Sequence, residues 1–167
     1  MSTDTKTSVT TQVYEIYIKA APQAIWDAIT TTEWSVKYGY QGPVDYDLRA
    51  GGAYRAHSTP QMREFGLPDV VVDGEVIESN PPHKLVHTYR FLFSDAHKAE
   101  GFTRVTWEIS KTASGFSRLT VTHDQLEGAP SMASMVKSPF SESGTGGWSW
   151  ILSDLKSVLE TGKRMGQ

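Results

Sequence analysis

The chain has 167 residues, with 16 Lys and Arg against 19 Asp and Glu, and its net charge of −3 offers no broad basic surface to a nucleic acid. It contains no cysteine, which removes disulfides, thiol nucleophiles and thiolate metal sites together. Yet 11% of it is aromatic, with five Trp, seven Tyr and six Phe, a generous share for a length that suits one domain.

Met1 to Thr10 is polar and Thr-rich, so it reads as a flexible tail and not as a signal peptide. No apolar run is long enough to span a bilayer, and a cytoplasmic protein without membrane insertion is expected. Residues 11 to 20 alternate, with Tyr14, Ile16 and Ile18 on the face to be buried. Pro22 suits a first helical turn, and Ile25, Trp26 and Ile29 recur at helical spacing behind it. Thr31, Thr32 and Glu33 suggest the cap of a second short helix that carries Trp34, Tyr38 and Tyr40.

From about residue 43 the pattern is strand-like for some eighty residues. PVDYDL, GAYRAHS, VVVDGEVIES, KLVHTYRFLF, TRVTWEIS and FSRLTVTHD are separated by Gly51-Gly52, Asn80-Pro81-Pro82, Gly101 and Ser114-Gly115. Tight connections between short strands predict an antiparallel meander. The connection from 125 to 143 is long for a compact domain, and Met132, Met135 and Val136 give it one amphipathic turn. It reads either as a lid, with Met132, Met135 and Phe140 as adaptable contacts, or as a fixed plug. In the last element Trp148, Ile151, Leu152, Leu155, Val158 and Leu159 form one stripe ending at Gly162, which predicts a long amphipathic helix. Trp150 falls on its polar face, either packed locally or available to a second copy of the chain as a dimer contact.

The expected class is α+β: a curved antiparallel sheet of about seven strands wrapped around a long C-terminal helix, with two short helices after strand 1. A ligand-binding domain over 11 to 163 is flanked by the tail at 1 to 10 and another at 164 to 167. The strings APQAIWDAIT, DLRAGGAYR at 47 to 55, GEVIESNPPHKLVHTY at 74 to 89, TRVTWEIS, SRLTVTH and GGWSWILSDLKSVLETG stand in an order that resembles the helix-grip (SRPBCC) superfamily. That superfamily includes START domains, polyketide cyclases and the birch pollen allergen proteins. The nearest branch is the homologues of the activator of the ninety-kilodalton heat-shock protein's ATPase. The resemblance implies a pocket between sheet and helix, with Leu85, His87 and Tyr89 facing it; a large apolar residue is more usual at the His87 position.

Alternation extends the inward set to Phe91 and Phe93, to Val105, Trp107 and Ile109, and to Leu119, Val121 and His123. His87 and His123 are therefore either satisfied core histidines or pocket groups able to hydrogen-bond a ligand or act as general bases. No third ligand stands at metal-site spacing, and neither a metal nor a cofactor is expected. Arg49, Arg55, His57 and Glu78 are expected in cross-strand ion pairs on the solvent face, or as orienting groups for a polar ligand. Asp124 points away from His123 by alternation. The glycines of GTGGW at 144 to 148 make a flexible helix start or an anion site.

The expected ligand-binding set is Trp34, Tyr38, Tyr54, His87, Tyr89, Phe91, Trp107, His123, Met132, Met135, Trp148, Leu152 and Leu155. It suits a small hydrophobic, ring-containing ligand held by a non-catalytic carrier or sensor, acting as a monomer or homodimer. An alternative is a cyclase or hydrolase with His87 or His123 as general base. A second alternative, from the resemblance, is a co-chaperone or protein-interaction module.

Overall fold

In the computed structural model, residues 10–137, 140, 142 and 146–165 are described. Most of the expected N-terminal tail, the end of the expected C-terminal tail, and positions 138, 139, 141 and 143–145, which include the start of the glycine cluster, lie outside them. The seven strands are β1 (Gln12–Ile18), β2 (Val44–Tyr46), β3 (Ala53–His57), β4 (Val70–Asn80), β5 (Lys84–Phe91), β6 (Thr103–Lys111) and β7 (Ser117–Asp124). They form one antiparallel sheet in the order β1-β7-β6-β5-β4-β3-β2. Alternation decides the faces, as expected: Leu85 and His87 on β5, Val105, Trp107 and Ile109 on β6, and Leu119, Val121 and His123 on β7 are all buried.

α1 (Pro22–Thr30) and α2 (Thr32–Ser35) follow β1 directly, and α1 buries Ile25, Trp26 and Ile29. Thr31 stands at the junction, but no threonine side chain caps α2. The Thr31 hydroxyl donates back to the Asp27 carbonyl at 2.8 Å, and that of Thr32 donates to the Val44 carbonyl at 2.8 Å. The connections between the expected strands hold two short helices, α3 (Pro60–Glu64) and α4 (Asp95–Glu100). Each begins at a side-chain cap, with Thr59 accepting from the Met62 amide and Ser94 from the His97 amide. Both are too short to show a helical apolar period, so β propensity around them hid the local start signals. A 3₁₀ turn at Leu126–Gly128 and α5 (Pro130–Val136) then lead toward α6 (Gly147–Thr161), which ends at Gly162 with φ 81°.

Register shifts in β3–β4 and β4–β5 help bend the sheet around α6. Gly74 sits at this bend, where an added Cβ would collide with the Thr88 carbonyl oxygen. From its second turn onward α6 presses Leu152, Leu155 and Val158 into the core, while its first turn reaches over the β2–β5 side of the sheet. Asp154, on the flank read as polar, is buried to 1% exposure. One carboxylate oxygen accepts from the Gly39 amide at 2.8 Å and from Arg164 Nε at 3.3 Å, and the other from the Met165 amide at 2.8 Å. It thereby fastens the segment after α2, and the chain beyond Gly162, to the helix. No helix among the described residues is long and apolar enough to cross a membrane.

Candidate functional site

Because the first turn of α6 stands off the β2–β5 side of the sheet, a cavity of about 470 Å³ remains between them. Its walls come from the segment after α2, from β2 to β6, from α5 and from the start of α6. Nine of the 18 aromatic residues line it: Tyr38, Tyr40, Tyr46, Tyr54, Tyr89, Phe91, Phe93, Trp107 and Trp148. No Lys, Arg, Asp or Glu is among its lining residues. Tyr46 stacks on Tyr54 with ring centroids 4.6 Å apart, and Tyr89 continues the row at 6.2 Å from Tyr54. Trp107 and Trp148 meet edge to face at 5.3 Å.

Both histidines lie behind this wall, fully buried, and each receives an indole N–H. Trp107 Nε1 donates to His87 Nε2 at 3.1 Å, and Trp148 Nε1 donates to His123 Nδ1 at 3.0 Å. An indole nitrogen can only donate, so each receiving ring nitrogen must be unprotonated. The remaining nitrogens then carry the protons: His87 Nδ1 donates to the Thr88 carbonyl at 2.9 Å, and His123 Nε2 to the Thr103 hydroxyl at 2.7 Å. The Thr103 hydroxyl passes its own proton to the Tyr89 carbonyl at 2.9 Å. Burial disfavours the charged imidazolium, pushing His87 down to about 4 and His123 down to about 3, the latter also opposed by His87 nearby. Both rings are neutral, with their single lone pairs occupied. His87 is thus the acceptor that satisfies Trp107.

Of the ligand-binding set expected from sequence, Tyr38, Tyr54, Tyr89, Phe91, Trp107, Met135 and Trp148 line the cavity. His87 and His123 form the layer behind it, while Leu152 and Leu155 are packed into the core beyond its edge. Met132 is buried, with the Thr103 hydroxyl 3.3 Å from its sulfur. Trp34 is half-buried outside the cavity, with the Lys37 ammonium 4.5 Å from its ring centroid. In the connection read as a lid or plug, Met132 and Val136 are buried, Met135 is 44% exposed at the cavity, and Phe140 is 93% exposed.

Tyr40 and Tyr46 were not foreseen at the site. The alternation of Val44 and Tyr46 was a usable signal, since Tyr46 stands directly opposite Tyr54 in the sheet. Trp150 is half-buried and packs on Tyr40, ring centroids 5.5 Å apart, which is local packing.

The expected charged cluster separates. Glu78 pairs with Lys84 at 3.4 Å, Arg49 with Asp47 at 2.9 Å, and His57 with Asp45 at 2.6 Å. Asp124 points away from His123, and Arg104 grips it through two hydrogen bonds of 3.0 and 2.6 Å. No group of three His, Asp or Glu among the described residues could hold a metal ion.

Solved structures share this architecture. DynU16, described as a putative protein of the dynemicin biosynthetic locus, is 21% identical with a TM-score of 0.66, over 93% of this chain and 49% of its own. CalU16 from Micromonospora echinospora is 15% identical with a TM-score of 0.52, over 70% and 62%. The Aha1 dimer from Colwellia psychrerythraea is 19% identical with a TM-score of 0.64, over 92% and 98%. The chain therefore spans about half of DynU16 and under two thirds of CalU16. No curated protein sequence matches it. The family model described as "Activator of Hsp90 ATPase homolog 1-like protein" matches residues 19–160. With that match over most of its length, on a seven-stranded sheet closed around a C-terminal helix, the chain belongs to the Activator of Hsp90 ATPase homolog 1-like family of the helix-grip superfamily.

Proposed function

We propose that this protein binds a small hydrophobic, ring-containing ligand in the cavity between the sheet and α6, as a carrier or sensor without chemistry. The observation that carries this reading is a space of about 470 Å³ lined by nine aromatic rings and no Lys, Arg, Asp or Glu. Its volume lies within the range of about 300 to 1,000 Å³ usual for small-molecule sites. Flat rings offset or edge-on to one another present faces and edges that complement another ring better than a flexible saturated chain. A general base needs a free lone pair within reach of its substrate. On His87 and His123 that lone pair is taken up by Trp107 and Trp148, which favours binding over catalysis.

A melting series with neutral polycyclic aromatic compounds tests the reading. A ligand at a hundred times its dissociation constant adds about 2.7 kcal/mol, which raises the midpoint of a chain this size by several degrees. No shift with any compound would count against it. The description of the family model favours one second reading, a co-chaperone that docks on Hsp90. Capture on immobilised Hsp90, unaffected by occupancy of the cavity, would support that instead.

A further inference from the structure

Nearly every polar atom at the cavity wall is already committed to the protein. The indole N–H groups of Trp107 and Trp148 are spent on the histidines. The Tyr38 hydroxyl donates to the Ala28 carbonyl at 2.8 Å, and the Ser35 hydroxyl to the Gly42 carbonyl at 2.8 Å. The Tyr54 hydroxyl donates to that of Tyr46, which lies 3.4 Å from His87 Nε2 as a second, longer donor to the lone pair that Trp107 holds. His57 is tied to Asp45 and partly open to solvent, and Tyr40, 51% exposed, belongs to the mouth.

Tyr89 differs from all of these. Its ring is fixed by contacts with Tyr54, Phe91, His123 and Trp148, and it lines the cavity, yet its hydroxyl has no hydrogen-bond partner among the described residues. Burial keeps the phenol protonated, so it is available as a donor.

Resting on the ligand-binding reading above, we infer that the Tyr89 hydroxyl is the polar anchor of the cavity interior and selects neutral ring systems that offer it one carbonyl or hydroxyl oxygen. The specificity has two physical sources. A ligand oxygen placed against Tyr89 satisfies a donor that an all-carbon ligand leaves dry and unpaired. A carboxylate, phosphate or ammonium finds no counter-charge on the wall and loses its hydration without return. The preferred ligand is thus an aromatic ketone or phenol, not a fatty acid and not a polycyclic hydrocarbon.

Three probes of one shape separate these terms: 9-fluorenone, fluorene and fluorene-9-carboxylate, each titrated while following the summed fluorescence of the five tryptophans, of which Trp107 and Trp148 line the cavity. The expected result for the parent is 9-fluorenone bound about 10-fold more tightly than fluorene, and the carboxylate more weakly than both. Tyr89→Phe keeps the ring and its packing. It is expected to bring 9-fluorenone down to the affinity of fluorene while leaving fluorene unchanged. Equal affinity of the parent for 9-fluorenone and fluorene, or a preference that survives in Tyr89→Phe, overturns the anchor but leaves the cavity a binding site. Absence of binding by all three overturns the ligand-binding reading and the anchor with it. The comparison of probes on the parent protein stands whether or not the variant folds.

Discussion

Trp148, on the first turn of α6, donates its indole N–H to Nδ1 of His123 on β7 across 3.0 Å, and this bond joins the terminal helix to the sheet beside the cavity. Trp107 does the same to His87 from the neighbouring strand at 3.1 Å. The two indoles in turn meet at 5.3 Å, so four side chains form one dry, neutral unit whose outer surface is the cavity wall.

Breaking one half of such a pair is expected to cost more than removing both halves. His87→Leu leaves the Trp107 N–H buried without an acceptor, a loss of about 1 to 3 kcal/mol. In the Trp107→Phe background the same change no longer orphans a donor, so a double-mutant cycle by urea denaturation should show a coupling of about 1 kcal/mol or more. Strict additivity would show that the bond contributes nothing.

The buried histidines also set the response to acid. Both titrate lower in the folded protein, at about 4 and about 3, than the ordinary value of 6.5 they regain on unfolding. The unfolded chain therefore binds more protons between those values, and stability is complete above about pH 7 and falls as pH drops through 6.5 toward 4. Near pH 5 each ring has lost about 2 kcal/mol, roughly 4 kcal/mol together, at 1.36 kcal/mol per unit. Urea midpoints at pH 7 and pH 5 check this, and His87→Leu should roughly halve the difference. A flat profile over that range would contradict it.

Asp154 is expected to govern the mouth from a distance. Asp154→Ala orphans the Gly39 and Met165 amides and frees Arg164 Nε, so the segment carrying Tyr38 and Tyr40 loses its tie to α6. Two uncovered donors at about 1 to 3 kcal/mol each predict a clear fall in the melting temperature. Hydrogen exchange should show faster labelling around Gly39 than in the parent, while β6 and β7 keep their protection. Unchanged exchange there would mean the segment is held by other contacts.

Trp150 is expected to matter little beyond its own neighbourhood. Its contact with Tyr40 at 5.5 Å accounts for its half-burial, so Trp150→Ser should elute from gel filtration where the parent does and lose about 0.5 to 1.5 kcal/mol. A dimeric parent and a monomeric variant would place Trp150 in an interface between copies instead.

Much of this architecture was legible in the residues. Alternation placed Leu85, His87, Val105, Trp107, Leu119, Val121 and His123 on the buried face, and the helical stripe from Trp148 to Leu159 placed α6. The two-residue period is a strong signal where one face is buried, because a slip of one residue would turn every side chain to the other face. What alternation cannot supply is a partner. His87 and Trp107 are 20 residues apart, and His123 and Trp148 are 25 apart, so their pairing exists only once strand order and helix placement are settled. The same limit explains Asp154, which looks solvated on a helical wheel until Gly39 and the chain beyond Gly162 close over it. Leu152 and Leu155 share the stripe with Trp148, and only the standoff of the first helical turn separates cavity from core.

The most direct test of the central claim is a crystal structure of the protein grown with 9-fluorenone. The account predicts ring-shaped density between Tyr54 and Trp148 with its oxygen within hydrogen-bonding distance of the Tyr89 hydroxyl. A cavity filled by the inward collapse of Met135 and Phe93, with the probe absent, would contradict it.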